Sequence, residues 1–310
     1  MTRFGDFDVL CRDTPSYTWC NLFYRQVLRH ASTVFTDASL PPASAGMGVN
    51  PTCTIPRMGH EGSLGNIANI VVCALSMVFT GVLIWATNKR KAAVGRIELR
   101  TFLTLYFLTL PLQLVTTGSF LEQGSTPLVV LTAIHAGAVA ALFWSLLANG
   151  LVATQVVEDG TPSSLVPFYF FTVAFFAATT YISLDVGLTI TSAFGPSNPP
   201  AALHSIPLFI FTSIWPAVCV VLYFALMAYI VLVILNEVRP MWFYILSAAL
   251  FVLSQLDYFL LNRVICKGSS SKVDGSFVAT LLETAAVGVL YLAWKSITEE
   301  SWDEDAYYPS

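Results

Sequence analysis

Long apolar stretches alternate with short polar connections along this chain of 310 residues. A helix needs roughly 20 mostly apolar residues to cross about 30 Å of hydrocarbon. Stretches of about this length or longer lie at about 66–87, 101–121, 127–155, 166–188, 205–235, 241–262 and 277–294. Because a helix satisfies its own backbone hydrogen bonds inside lipid, the pattern predicts an all-α, polytopic membrane protein with seven transmembrane helices.

The composition agrees with a chain that lies mainly in the bilayer. Hydrophobic residues make up 55% of it and charged residues 11%, and the mean hydropathy is +0.69. We divide the chain into an N-terminal segment at 1–65, a transmembrane domain at 66–294 and an acidic tail at 295–310. This division leaves no room for a conventional soluble catalytic domain. We expect Pro111, Pro207 and Pro216 to kink or end helices locally.

Basic residues in the short connections predict the orientation. Five of them follow the first stretch: Lys89, Arg90, Lys91, Arg96 and Arg100. The connections after the second and fourth stretches have no Lys or Arg. Since positive charge stays in the cytosol, residues 1–65 are expected on the lumenal or outer side and the tail in the cytosol. The sixth connection opposes this prediction with Arg263, Lys267 and Lys272.

The cysteines fit this topology. Cys73 and Cys219 lie inside apolar stretches, where a thiol packs as a small apolar group. The other four fall on the predicted lumenal side: Cys11, Cys20, Cys53 and Cys266. An even set on the oxidising side predicts two disulfides, and four cysteines allow three pairings. We favour Cys11 with Cys20 and Cys53 with Cys266, because the second pair would join the N-terminal segment to the last helical hairpin.

A metal site is the rival interpretation of these cysteines. It has no support from a C-x-x-C pair or from Cys/His spacing, so we expect no bound metal. Phosphate-binding glycine motifs, the G-x-S-x-G elbow and the H-E-x-x-H helix are also missing from the sequence. These observations lower the expectation of an enzyme.

Polar segments spread along the whole chain carry a family resemblance. They are FGDFDVLC up to Cys20, KRKAAVGRIELRTF, FWSLLANGLVATQVVEDGT, Gln255, VICKG, KVDGSF, and TLLET ahead of LYLAWKSITEESW. In this order, from Phe4 to about Trp302, the chain resembles the fungal chitin synthase export chaperones. The resemblance implies a fungal protein of the endoplasmic reticulum membrane without enzymatic activity or cofactor. It also implies a client, a chitin synthase, which needs this protein to fold, avoid aggregation and leave that compartment.

A strip of small or weakly polar residues recurs at four-residue spacing in the third stretch. Its members are Ala133, Gly137, Ala141, Ser145 and Asn149. Small residues let helices approach closely in lipid. The strip therefore predicts either packing inside the bundle or a face that binds client helices.

Three carboxylates lie within apolar stretches, where a charge is costly and suggests a function. Asp185, Asp257 and Glu283 would all lie in the lumenal third of their helices. The first interpretation is an internal polar network, with Gln255 or His135 as partners. An intramembrane aspartyl protease is disfavoured because no Gly-x-Gly-Asp segment surrounds either aspartate.

The tail after Trp294 is acidic, and we expect it to be solvated. The alternative is that Asp303 and Asp305 form a two-acid export signal read by coat proteins. The basic connection could in turn bind anionic lipid of the bilayer. A net charge of −4 gives no reason to expect nucleic-acid binding.

Three other functional classes share the predicted topology. A seven-helix receptor would show a D-R-Y-type end of the third span and N-P-x-x-Y in the seventh, and both are absent from the sequence. A small-solute transporter would show paired broken helices or a midplane ion site. The only hint of broken helices in the sequence is a few scattered prolines. A retinal protein needs a lysine near the middle of the seventh span, whereas Lys295 follows its end.

Overall fold

The computed structural model describes residues 3–35, 45–60, 62–91, 93–156, 158–199 and 201–298. Two short helices, α1 (Asp8–Asp13) and α2 (Asn21–His30), come first. Seven helices long and apolar enough to cross a membrane follow in this described part of the chain. They are α3 (Ile67–Lys89), α4 (Arg96–Thr117), α5 (Thr126–Ala153), α6 (Pro162–Leu188), α7 (Ile206–Ile234), α8 (Arg239–Gly268) and α9 (Ser276–Ile297). The all-α fold with seven candidate spans is confirmed.

Some helix ends differ from the predicted ones. α4 begins at Arg96 instead of 101, and α8 continues to Gly268 instead of 262. The hydropathy pattern marks only the part of a helix that lipid can cover, and polar turns extend beyond it. Pro111 lies inside α4 without ending it, while Pro207 stands in the first turn of α7, where its missing N–H costs nothing.

α5 is the central helix of the bundle. It packs against α4, α6 and α7, and α9 packs against α8 and α3. α7 and α8 contact each other at few positions, so the bundle is only loosely closed between these two helices. α5 lies close to α6 at Gly137, where an added Cβ atom would clash with Thr180 Oγ1 and would lie 2.7 Å from the backbone oxygen of Phe176. Only glycine permits this spacing between α5 and α6.

The N-terminal segment covers one end of the bundle, which we call the capped end. Its apolar side chains, Phe7 and Phe23 among them, form a buried cluster with Val129 of α5 and Leu208 of α7. The backbone is attached as well, because Phe7 N donates to Leu203 O at 2.7 Å. The segment therefore packs as part of the bundle.

Two disulfides lie at the capped end. Cys11 is bonded to Cys20 within the segment, and Cys53 is bonded to Cys266 at the end of α8. Cys73 and Cys219 are free thiols buried among the helices. The second disulfide links the segment to the α8–α9 hairpin.

A buried carboxylate, Asp274, stands at the same junction. Its oxygens accept hydrogen bonds from Ser16 Oγ, from Asn66 Nδ2 at 3.0 Å, and from both Oγ and the backbone N–H of Ser276. Burial raises the pKa of Asp274, and these hydrogen bonds oppose the rise. One side chain thus joins the N-terminal segment, the start of α3 and the start of α9.

Polar contacts also connect the segments at the opposite end. Gly95 N donates to Asp159 Oδ2 at 3.0 Å, and Gly160 N donates to Glu98 Oε1 at 3.4 Å. The basic connection after α3 and the turn after α5 therefore hold each other in place. Trp294 Nε1 adds a bond to Val94 O at 2.9 Å, which ties the end of α9 to the same connection.

We predict that Asp274→Asn lowers the free energy of unfolding by about 2–3 kcal/mol, since the new NH₂ group would face buried donors. The measurement is a titration of the detergent-solubilised full chain with denaturing detergent. Asp13→Asn is the matched control, because Asp13 makes a half-exposed ion pair with Arg263 at 3.4 Å. Such a pair is worth at most about 1 kcal/mol. Equal losses in the two variants would contradict the role of Asp274.

We also predict that Cys53 is linked to Cys266 and Cys11 to Cys20 in the purified protein, with Cys73 and Cys219 reduced. Alkylation before denaturation, followed by non-reducing peptide mass mapping, checks this pairing. Alkylated Cys53 and Cys266 would contradict both the link to the hairpin and the placement of the capped end in an oxidising compartment.

Candidate functional site: a cavity inside the bundle

A cavity of about 460 Å³ lies below the N-terminal segment and between α4, α5, α7, α8 and α9. This volume falls within the range of small-molecule sites, about 300–1,000 Å³. Its walls are largely apolar and aromatic, with Phe102, Phe143, Phe224 and Phe251 from four different helices. The interior of the bundle is therefore a shaped space and not continuous close packing.

The roof of the cavity comes from the N-terminal segment. Tyr17, Thr18 and Trp19 line it from above. Thr18 Oγ1 lies 3.2 Å from Thr117 Oγ1 of α4, and the Trp19 ring packs on His135 of α5 with centroids 5.3 Å apart. The 3₁₀ turn that carries Thr18–Cys20 is held by the Cys11–Cys20 disulfide, so the roof is fixed covalently as well as by packing.

One wall of the cavity is polar. Glu283 lies about 10 Å into α9 from its start, at 1.5 Å per residue. Its Oε1 accepts a hydrogen bond from Gln255 Nε2 of α8 at 3.0 Å. Gln113 of α4 donates to Thr280 Oγ1 at 2.7 Å, and Thr280 lies one turn from Glu283 on the same face of α9. Three helices thus bring amide and carboxyl groups to one place.

The polar wall is rich in acceptors and has few free donors. Glu283 Oε2 and the carbonyl oxygens of Gln255 and Gln113 have no hydrogen-bond partner in the described part of the chain. The lining, taken from the described residues, includes no Lys or Arg. His135, at the roof, already bonds through Nδ1 to Thr116 Oγ1 at 3.1 Å.

The other two predicted carboxylates lie elsewhere. Asp185 is fully buried at the end of α6, where it accepts hydrogen bonds from Thr191 and from Phe194 N at 2.9 Å and so shapes the connection that follows. Asp257 is buried in α8, and its Oδ2 has no partner among the described residues. The three carboxylates occupy three separate environments, and only Glu283 has the expected contact with Gln255.

The small-residue strip of α5 is buried inside the bundle. Ala133, Ala141 and Ser145 are at most 1% exposed, and Asn149 is 7% exposed. Gly137 faces Thr180 and Phe176 of α6. This arrangement agrees with the interpretation that the strip serves helix packing inside the bundle. A client helix could reach these residues only after the bundle had opened.

Several residues that shape the site had no role in the sequence prediction. Gln113 could have been found as a lone amide in an apolar stretch, by the argument used for the three carboxylates. Asp274 lies in a short connection and Glu98 in the first turn of α4, where acidic residues are ordinary, so their burial had no local signal. Asp303 and Asp305 lie outside the described residues.

A metal centre finds no support in the described residues, where no group of three or more His, Cys, Asp or Glu side chains could hold an ion. The cavity offers shape, hydrogen-bond acceptors and one carboxyl group. These features suit binding. A nucleophile activated by a neighbouring base is not seen among the described lining residues.

Comparisons with known proteins agree over the whole chain. A family profile described as chitin synthase export chaperone matches residues 3–307. A chitin synthase export chaperone from Chaetomium globosum is 30% identical over 305 residues, which cover 96% of this chain and 83% of that protein. One from Neurospora crassa is 27% identical over 304 residues, with 97% and 78% covered.

A third relative of the same name, from Coccidioides immitis, is 28% identical over 299 residues. The aligned part covers 96% of this chain and 83% of that protein. No solved structure matches the chain. Because the profile spans nearly every residue, and the capped-end and opposite-end junctions are built from the segments that carry the resemblance, the chain belongs to the chitin synthase export chaperone family.

Proposed function

We propose that this protein is a chaperone of the endoplasmic reticulum membrane that binds a chitin synthase and permits its folding and export. The observation that carries the proposal is the family match over residues 3–307, together with relatives of that name covered over more than three quarters of their length. Loss of the protein would lower cell-wall chitin indirectly, through the missing synthase. Receptor and transporter functions are not favoured by these comparisons.

The proposed mechanism uses binding free energy without chemical turnover. A polytopic client exposes polar groups and helix faces before it has folded, and these are costly in lipid. A partner that covers them lowers the free energy of the export-competent state. Since α5 is enclosed, contacts with the client would use the outer helices or the two ends of the bundle.

The proposed orientation places the capped end in the lumen. Both disulfides lie at that end, and oxidation is favoured in the lumen. The basic connection after α3 lies at the other end, as the positive-inside rule requires. Arg263, which opposes the rule, has Asp13 as a partner 3.4 Å away, so part of the dissenting charge is balanced inside the fold.

We expect cells that lack this protein to retain one chitin synthase in the endoplasmic reticulum. The measurement is the location of fluorescently tagged synthases in a fungal deletion strain, with total synthase levels determined in parallel. An unrelated secretory membrane protein serves as control and should reach the surface. Normal delivery of every synthase, with normal cell-wall chitin, would contradict the proposed function.

The tail supports a second, narrower proposal, that Asp303 and Asp305 are read by export coat proteins. We predict that the double variant Asp303→Ala and Asp305→Ala slows exit of the chaperone, measured as incorporation into budded vesicles in vitro. Glu299→Gln with Glu300→Gln removes the same charge without touching the two-acid pattern and is the control. Equal slowing in both pairs would show a general charge effect and refute the signal.

A further inference from the structure

The cavity has a property that a chaperone does not require. Its polar wall presents Glu283 Oε2 and two amide carbonyl oxygens, all without partners among the described residues. The rest of the wall is largely apolar and aromatic, and its other polar members are mostly Ser and Thr hydroxyls. An unbalanced carboxyl group inside a membrane protein is costly and ordinarily has a partner. Among the described residues that line the cavity, no Lys or Arg side chain is present to pair with this carboxyl group.

We propose that the cavity binds a membrane amphiphile that has a protonated primary amine and a long hydrocarbon chain. The ammonium group has three donors and no acceptor, which matches the three open acceptors on Glu283, Gln255 and Gln113. The hydrocarbon chain would lie along the apolar wall between α7 and α8. A neutral hydroxyl head group offers one donor, and an acidic one would meet the carboxylate as a like charge.

The access route lies between α7 and α8. These helices make few contacts with each other, yet both line the cavity. Ala217 of α7 and Phe259 of α8 are lining residues that are also exposed, with Phe259 39% exposed. An amphiphile in the surrounding leaflet can therefore reach the polar wall without crossing the roof formed by the N-terminal segment.

Irregular helical segments support this location. α7 has π-helical turns at Ile210–Ile214 and Ile230–Ile234, and α8 has one at Asp257–Leu261. Such turns interrupt the regular hydrogen-bond pattern of an α-helix and are frequent at functional sites. Ser213 of the first and Tyr258 of the third face the cavity, so the two helices along the access route are also the distorted ones.

The test uses the full-length protein in reconstituted membranes and two matched probes. One is octadecylamine with a diazirine in its chain and a terminal alkyne, and the other is the corresponding octadecanol. We expect the amine to label peptides of α7, α8 and α9, at least about tenfold more than the alcohol, because a charge-assisted hydrogen bond is much stronger than a neutral one.

Variants separate binding from folding. Glu283→Gln keeps an oxygen that can accept from Gln255 and should reduce amine labelling at least about tenfold. Ala217→Phe narrows the access route at an exposed position and should reduce labelling by both probes. Glu237→Gln, an exposed change outside the cavity, is the control and should label like the wild type. Melting temperature and the two disulfides report the folding of each variant.

Three outcomes would overturn the proposal. They are equal amine labelling of Glu283→Gln and the wild type, equal labelling of the wild type by amine and alcohol, and crosslinks confined to peptides outside the cavity. The comparison of the two probes needs no variant, so it decides the question even where Glu283→Gln fails to fold. Synthase export is a separate readout, and its failure or success leaves the labelling result unaffected.

Discussion

The capped end of this protein depends on one buried carboxylate. Asp274 is fully buried, and a carboxylate taken out of water is costly unless hydrogen bonds replace its hydration. The replacement comes from Ser16, Asn66 and Ser276, which lie far apart in the chain; Ser16 and Asp274 are 258 residues apart. The carboxylate is therefore stable only when the N-terminal segment, α3 and α9 are assembled together. The roof of the cavity, in turn, is placed by this assembly.

Asp274 and Glu283 show how the same chemical group can serve two purposes. Asp274 accepts four hydrogen bonds, so both of its oxygens are satisfied and it acts as a structural junction. Glu283 accepts one, from Gln255, and lines a cavity whose walls are largely apolar and aromatic. If the residue at this position served only to stabilise the fold, an apolar side chain would do so at a lower cost in desolvation free energy. The open oxygen is therefore the feature to be explained by binding.

The sequence predicted the features that the lipid bilayer imposes, which are the number and approximate position of the helices. It did not predict the features that depend on contacts between distant parts of the chain. The thickness of the hydrocarbon sets the length of a span, so the seven helices could be located from hydropathy, while the polar turns of α4 and α8 could not. The strip from Ala133 to Asn149 signalled close packing but not which neighbour it packs on, since that depends on where α6 lies. Four cysteines allowed three disulfide pairings, and the favoured one rested on the predicted topology, because chain order alone does not place Cys53 beside Cys266.

The cavity illustrates a further limit, which comes from helix periodicity. A regular helix repeats every 3.6 residues, and a π-helical turn inserts a residue and shifts every later side chain around the axis. In α7 and α8 such turns bring Ser213 and Tyr258 to the cavity. A periodic reading of these helices therefore misplaces their inner face beyond each turn. Hydropathy locates the helices, and polar residues within them can be recognised as candidate site residues. The cavity that these residues share can be seen only once the distorted helices are packed together.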